Sequence, residues 1–233
     1  MKKSFLIILS VFLLLPLLSE ARKKKATKKK VKSAKIISLK PGDILVADFE
    51  GHPNCLNGEV GVYGDGESDW SKPDEPHSWY LEPHLKDYKK SNVHSGAQSF
   101  RLVNGQKGIV KRWASFGIDL GPDVDISVIP KKVKSLDVSK FKYLVFWVKG
   151  EKGGEKFKVL FRDSHAPSYM PQAKIDPLPQ GCSTNWQQVV IPLSEIKNKV
   201  DLKSMVHIGL EFGANVGNPK LATFYVDDFA FVK

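Results

Sequence analysis

The chain has 233 residues, 42% apolar and 26% charged, which is enough for one sizeable core, short of two full domains of about 150 residues each, and incompatible with disorder throughout. Its formal charge of +11 is concentrated: residues 1–35 hold 11 of the 36 Lys and Arg and only one acid, Glu20, leaving 25 bases against 24 acids in residues 36–233. A fold that grips phosphates needs its surplus bases on a folded face, so no nucleic-acid partner is expected.

The chain opens as an export signal. Lys2 and Lys3 precede the apolar run Phe5–Leu18, and Ser19-Glu20-Ala21 puts small residues where a signal peptidase reads, so cleavage is expected after Ala21. The run of 14 residues is shorter than the ~20 a helix needs to cross a bilayer, so no transmembrane span is expected after cleavage and the product is secreted, periplasmic or cell-surface. Residues 22–40 follow as a basic linker. Its core, RKKKATKKKVKSAK, has no apolar stripe and repels itself into an extended arm. That arm serves as a spacer or holds the protein against an anionic envelope surface.

Residues 41–233 are expected to form the folded domain, because from Ile36 onward the apolar pattern has period two. The predicted strands are Ile44–Phe49, Ser99–Leu102, Tyr143–Lys149, Phe157–Arg162, Gln187–Ile191, Val206–Phe212 and Thr223–Val232. One-turn helices are expected near Val138–Lys140 and Ser194–Asn198. Seven or more strands with irregular connections imply an all-β, antiparallel sandwich. The segment Gly51–Asn92 is long for a plain connection, and its Trp70, His77, Trp79 and Tyr80 are expected to wall a cleft or cover the sandwich edge. An oxidising compartment would permit a disulfide between Cys55 and Cys182, although the sequence does not show that the thiols meet. Neither lies in a CxxC or at metal-ligand spacing from a His, which argues against zinc.

Five blocks in order, ADFEG (47–51), HSGAQSFRL (94–102), LDVSKFKYLVFWVKG (136–150), TNWQQVVIPLSEI (184–196) and FYVDDFAFV (224–232), resemble the jelly rolls of the galactose-binding-like superfamily. The nearest likeness is to family 11 carbohydrate-binding modules and to the complex I intermediate-associated type of domain. Fold alone does not settle function, since this jelly roll also serves in adhesion and assembly.

Two groups of residues carry chemistry. Strand alternation puts Asp227 on the face of Tyr225, Phe229 and Phe231, which reads as buried, and a buried carboxylate needs a cation or several donors. The resemblance implies a structural Ca2+ held by Asp48 or Glu50, the backbone around Ser95 and Gln98, and Asp227 or Asp228; oxygen ligands suit calcium. The alternative is hydrogen bonding to Arg101 or to strand N–H groups. For the ligand, alternation turns Trp147 away from Leu144, Phe146 and Val148, turns His207 and Glu211 away from Ile208 and Leu210, and turns Arg162 away from Phe161. With Asp163, His165 and Tyr169 just downstream, these side chains are expected on one concave sheet surface. An indole or phenol ring would stack on a pyranose there while the charged groups bond its hydroxyls. Trp70, Trp79 and Tyr80 form a second tier. The single-residue alternatives are that a loop covers Trp147, that His207 is structural, and that Arg162 pairs with Glu211.

No nucleophile elbow, zinc-protease helix or phosphate loop is present. A glycosidase would need two carboxylates about 5 to 10 Å apart, with Asp163 and Glu211 as the pair to examine. The expected function is therefore an exported, non-catalytic module whose partner is a glycan or polysaccharide. The alternatives are an envelope structural or assembly protein binding a protein partner through the same face and, less favoured, a small glycoside hydrolase.

Overall fold

Alternating apolar residues sort the chain into two antiparallel sheets packed face to face. The computed structural model describes residues 36–50, 54–64, 86–87, 90–104, 113–125, 132–167, 170–219 and 221–233. Expectations for residues 1–35 and for Trp70, His77, Trp79, Tyr80 and Tyr169 lie outside the described residues. The strands in chain order are β1 (Ile44–Ala47), β2 (Val60–Gly64), β3 (Lys86–Asp87), β4 (Ser99–Val103), β5 (Ala114–Asp119), β6 (Asp123–Asp125), β7 (Lys132–Val133), β8 (Tyr143–Gly150), β9 (Lys158–Asp163), β10 (Ala173–Ile175), β11 (Gln187–Pro192), β12 (Met205–Glu211) and β13 (Thr223–Val232).

The first sheet runs β11-β8-β13-β4-β3, with β1 also paired to β13; the second runs β10-β9-β12-β5-β2; β6 and β7 form a separate ribbon. All seven predicted strands are present, and β2, β3, β5, β6, β7 and β10 were not anticipated. The expected helix near Val138–Lys140 is a turn, and that near Ser194–Asn198 begins as a 3-10 turn at Leu193–Glu195. The core between the sheets is rich in phenylalanine. Phe146 of β8 and Phe229 of β13 stack at 4.5 Å, while Phe116 of β5 reaches across to Phe100 (4.8 Å) and Phe229 (6.1 Å). Aromatic pairs at these separations add to the burial of their area.

Strand β13 is the spine of the first sheet. One edge pairs with β8; the other pairs with β4 through Thr223–Val226 and then with β1 through Phe229–Phe231. Its alternation does not run through. Phe224 and Val226 point into the core, the register shifts at Asp227–Asp228, where Asp228 takes the left-handed φ of 52°, and Phe229 and Phe231 then point inward. The sequence expectation that Asp227 shares the face of Phe229 and Phe231 is corrected by this bulge. Asp227 instead pairs with Trp147 of β8 and lies with it on the side of the first sheet away from the core.

One compact unit spans Ile36–Lys233. Val145, Ala230 and Val232 form a small apolar cluster outside the main core, and Ile37 packs on it. The Gln188 side chain clamps Ile37, accepting its N–H and donating to its carbonyl, each at 2.7 Å. Gln188→Ala is expected to cost about 1 kcal/mol and to speed amide exchange at Ile37, as hydrogen exchange would measure. Cys55 is exposed and Cys182 buried, and both are free thiols. Burial, aided by the Glu155 charge, pushes the Cys182 thiol up to about 12, so it behaves as a small core residue.

Candidate functional site

The predicted ligand cluster divides between two sheets. Arg162, His207 and Glu211 lie on β9 and β12 of the second sheet, whereas Trp147 lies on β8 of the first. Each residue does face away from the core, as alternation required, but strand assignment puts the sandwich core between them, so the shared hollow expected from the sequence does not form.

On the second sheet, cross-strand pairing arranges the outer face in rows. His207 lies opposite both Arg162 and Asp119. One step along, Gly209 lies opposite Leu160 and Gly117, Gly117 opposite Gly61, and Leu160 opposite Lys174. In the third row Glu211 lies opposite Lys158 and Ser115. The middle row therefore has three adjacent strands without side chains, which makes a trench floor of backbone about 10 Å long from β12 to β2, buried along its length and ended on β9 by the buried Leu160. Polar rows border it on both sides.

The borders are electrostatically organised. His207 Nδ1 is 2.8 Å from Asp119 Oδ1, and a carboxylate partner keeps the proton on Nδ1. The ring leans over the trench: a methyl group added at Gly209 would sit 3.3 Å from His207 Nε2 and 3.1 Å from the Phe116 carbonyl oxygen. Glu211 is nearly buried and accepts from Lys174 Nζ (3.0 Å) and Asn215 Nδ2 (2.6 Å), so the expected Arg162–Glu211 pair is replaced by Lys174–Glu211. The Lys174 side chain remains 43% exposed.

Asp163 and His165 belong to the end of β9 rather than to this face. Asp163 is opposite Met205, and a register irregularity between Met205 and His207 separates it from the Arg162–His207 pair. Its buried carboxylate is enclosed by donors: the His165 N–H (2.8 Å) and Gln172 Nε2 (2.9 Å) on Oδ1, and the Asp201 N–H (2.6 Å) on Oδ2. His165, 67% exposed, lies 3.3 Å from Ser204 Oγ through Nδ1. The hydrolase pair is likewise not assembled. Glu211 is opposite Lys158, five residues along β9 from Asp163, a separation of about 17 Å along the strand, against the 5 to 10 Å that glycoside hydrolysis requires.

A second polar centre lies at the β13 bulge, on the outer side of the first sheet. Asp227, 0% exposed, accepts from the N–H groups of His94 (3.1 Å), Ser95 (3.3 Å) and Asp228 (3.0 Å). Burial and the neighbouring Asp228 charge push its carboxyl up to about 8, outweighing those hydrogen bonds. Asp228 accepts from Ser95 Oγ (2.8 Å) and lies 2.7 Å from His94 Nδ1. The His94 ring stacks on Trp147 at 3.8 Å, with an interplanar angle of 18°, and meets Trp186 edge-on at 5.6 Å. One face of the Trp147 indole is thus covered by a loop side chain.

Of the residues expected around calcium, Glu50 and the Asp227–Asp228 pair meet the same segment, residues 94–98. Glu50 Oε1 is taken by the N–H groups of Ala97 (2.9 Å) and Gln98 (3.1 Å), and Asp48 Oδ1 accepts from the Glu50 N–H (3.2 Å). Of the alternatives named for Asp227, backbone N–H groups are the partners present, contributed by the 94–95 loop and the bulge. Among the described residues, the ligand atoms that do come together are those of His94, Asp227 and Asp228.

Sequence reading missed Asp119, Ser115 and Gly117, because the segment that becomes β5 alternates Phe116 and Ile118 with small or polar residues, and it missed Gly209 of β12 because a glycine adds nothing to an apolar pattern. It also missed His94, whose role depends on a contact with a residue 134 positions away.

None of the curated proteins matches this chain. Among solved structures, the family 30 carbohydrate-binding module of the cellulosomal cellulase Cel9D-Cel44B of Clostridium thermocellum is 20% identical, with 76% of this chain and 92% of that chain covered and a TM-score of 0.46. The family 11 module of the cellulase Lic26A-Cel5E of the same organism is 15% identical, with 82% and 94% covered and a TM-score of 0.46. The K2 cleaved adhesin domain of Lys-gingipain is 12% identical, with 82% and 99% covered and a TM-score of 0.44. No complex I intermediate-associated domain is among these matches. The sequence model described as carbohydrate binding domain 30 matches residues 87–233, well over half of the chain, and the chain belongs to that family.

Proposed function

We propose that the protein is an exported, non-catalytic module that binds a glycan across the outer face of the second sheet. The observation that carries the assignment of the surface is the row Gly209–Gly117–Gly61, a backbone floor between two polar borders. A flat sugar ring needs close approach to such a floor and hydrogen-bonding groups at its edges. His207, through Nε2, supplies such a group from one border and Lys174 another from the β10 end of the row, with Asp119 and Glu211 orienting them. Family membership supports the ligand class. The basic arm of residues 22–35 adds a screened attraction to anionic envelope surfaces.

Affinity electrophoresis against soluble polysaccharides tests the reading. His207→Ala and Lys174→Ala are each expected to weaken binding by folded protein about tenfold, the equivalent of one hydrogen bond of about 1.4 kcal/mol, and to lower the melting temperature, because buried Asp119 or Glu211 loses a partner. Trp147→Ala is expected to leave binding intact in folded protein, because the indole belongs to the other sheet. Binding lost with Trp147 and retained without His207 and Lys174 would place the ligand on the first sheet. Absence of binding to every polysaccharide would favour a protein partner, and release of reducing ends would reveal a hydrolase.

A further inference from the structure

We propose that strand β11 is the docking edge for a second copy of this chain, paired antiparallel about a two-fold axis at Val189. β11 ends the first sheet and is hydrogen-bonded there to β8. A sheet edge offers unpaired N–H and C=O groups to any passing strand, and proteins blunt it with short strands, charge, proline or a bulge. The other edges carry such devices. β3 has two residues, β10 has three with Lys174 part-exposed among them, and β1 breaks its register between Leu45 and Ala47. β2 is weakened as a template by Gly61 and Gly64. β11 reads Gln-Gln-Val-Val-Ile-Pro, six residues with no charge and an unbroken register on β8, and Pro192 at its last position removes one donor only.

The ladder decides which groups are open. The Leu193 N–H reaches the Lys142 carbonyl at 2.8 Å, one step beyond the Pro192–Tyr143 pair. Bonded positions alternate along an antiparallel ladder, so Val189 and Ile191 direct their backbone groups to β8, whereas Gln188 and Val190 turn theirs to the edge. Among the described residues, no backbone group bonds them there. A second copy fits these groups. With Val189 facing its own image, Gln188 lies opposite Val190 of the second copy, and the two residues exchange both N–H···O bonds, an arrangement the symmetry repeats. Both edge-directed donors are then used, and none is required of Pro192. An uncharged strand set against its image brings no like charges together. Val190 is part-buried on the outer cluster of Val145, Ala230 and Val232, so pairing also sets one such cluster beside the other. A contact this short belongs with weak interfaces of less than about 1,200 Å2, which makes the dimer reversible. Two copies carry two of the proposed glycan surfaces and gain avidity on a repeating polymer, although the pairing itself does not depend on that reading.

Sedimentation equilibrium of the full chain tests the pairing at about 0.15 M salt, where a screening length of about 8 Å damps repulsion between basic arms. The expected result is a reversible monomer–dimer equilibrium with a dissociation constant of about 1 mM or tighter. As the dimer forms, amide exchange at Gln188 and Val190 is expected to slow about tenfold, while Val189 and Ile191, already bonded to β8, change little. Val190→Lys, which puts a charge on the edge, is expected to leave a folded monomer, and Val190→Thr to keep the dimer. A monomer at every concentration, growth past the dimer, or a dimer that survives Val190→Lys in folded protein overturns the proposal. Should Val190→Lys fail to fold, exchange in the wild-type chain decides: slowing centred on Gln188 and Val190 supports the edge, and rates at both that ignore concentration overturn it.

Discussion

Phe229→Ala is expected to lower folding stability by about 4 kcal/mol, seen as a fall in the urea midpoint with little change in slope. Phe229 is fully buried and stacks on Phe146 with the planes only 6° apart, while it lies tilted at 42° to Phe116 of the second sheet and meets Phe49 beyond β1 edge-on. It is therefore a contact through which both sheets are held, and it is the first core residue after the bulge. Removing the ring leaves a cavity lined by side chains anchored in three other segments, which cannot all collapse together. Phe229→Leu, which keeps most of the volume, is expected to cost about 1.5 kcal/mol. A similar loss for both substitutions would mean that the cavity is not what destabilises the protein.

Asp163→Ala is expected to cost about 3 kcal/mol at neutral pH, because three buried donors lose a charged acceptor at once. Burial opposes ionisation of Asp163, but the Asp201 N–H, the Gln172 amide and the His165 N–H outweigh it and hold the carboxyl below the usual carboxylate range. The sign follows from linkage. A carboxyl with a depressed folded pKa contributes stability that is fully present above the unfolded value of about 4 and is lost as pH falls through the lower folded value. Urea unfolding at pH 7 and near pH 3 should therefore show the wild-type advantage over Asp163→Ala shrinking at the acid end. A difference independent of pH would show that the carboxylate charge is not the source. Asp163 thus secures the loops at one end of the second sheet, and its loss is expected to disturb the border of the trench indirectly.

Alternation in the sequence revealed seven of the strands, though not β2 or β5 of the second sheet, and, for Trp147, Arg162, His207 and Glu211, which way each side chain turns from its own sheet. It could not say which sheet each strand joins, because period two is identical on both sides of a sandwich. That ambiguity alone brought Trp147 together with His207. The trench was hidden for a different reason: Gly61, Gly117 and Gly209 contribute nothing to an apolar pattern, and their meaning comes only from cross-strand register. The bulge at Asp227–Asp228 was hidden by continuity, since Tyr225 to Phe231 reads as one uninterrupted strand until the backbone at Asp228 turns left-handed. The family blocks gave the fold, while the chemistry at the bulge depends on His94, whose partners are set by loop closure.

The pairing of Ile44 with Phe231, extended by the Lys233 N–H on Asp43 Oδ1 at 3.0 Å, brings the first and last strands of the sandwich out side by side. A pull applied between the two ends would therefore load the β1–β13 ladder from one end, peeling its hydrogen bonds in sequence instead of shearing them together. The Ile37 clamp would yield first. Tension carried through both ends would unravel this sandwich at low force, whereas a tether through one end alone would spare the ladder altogether.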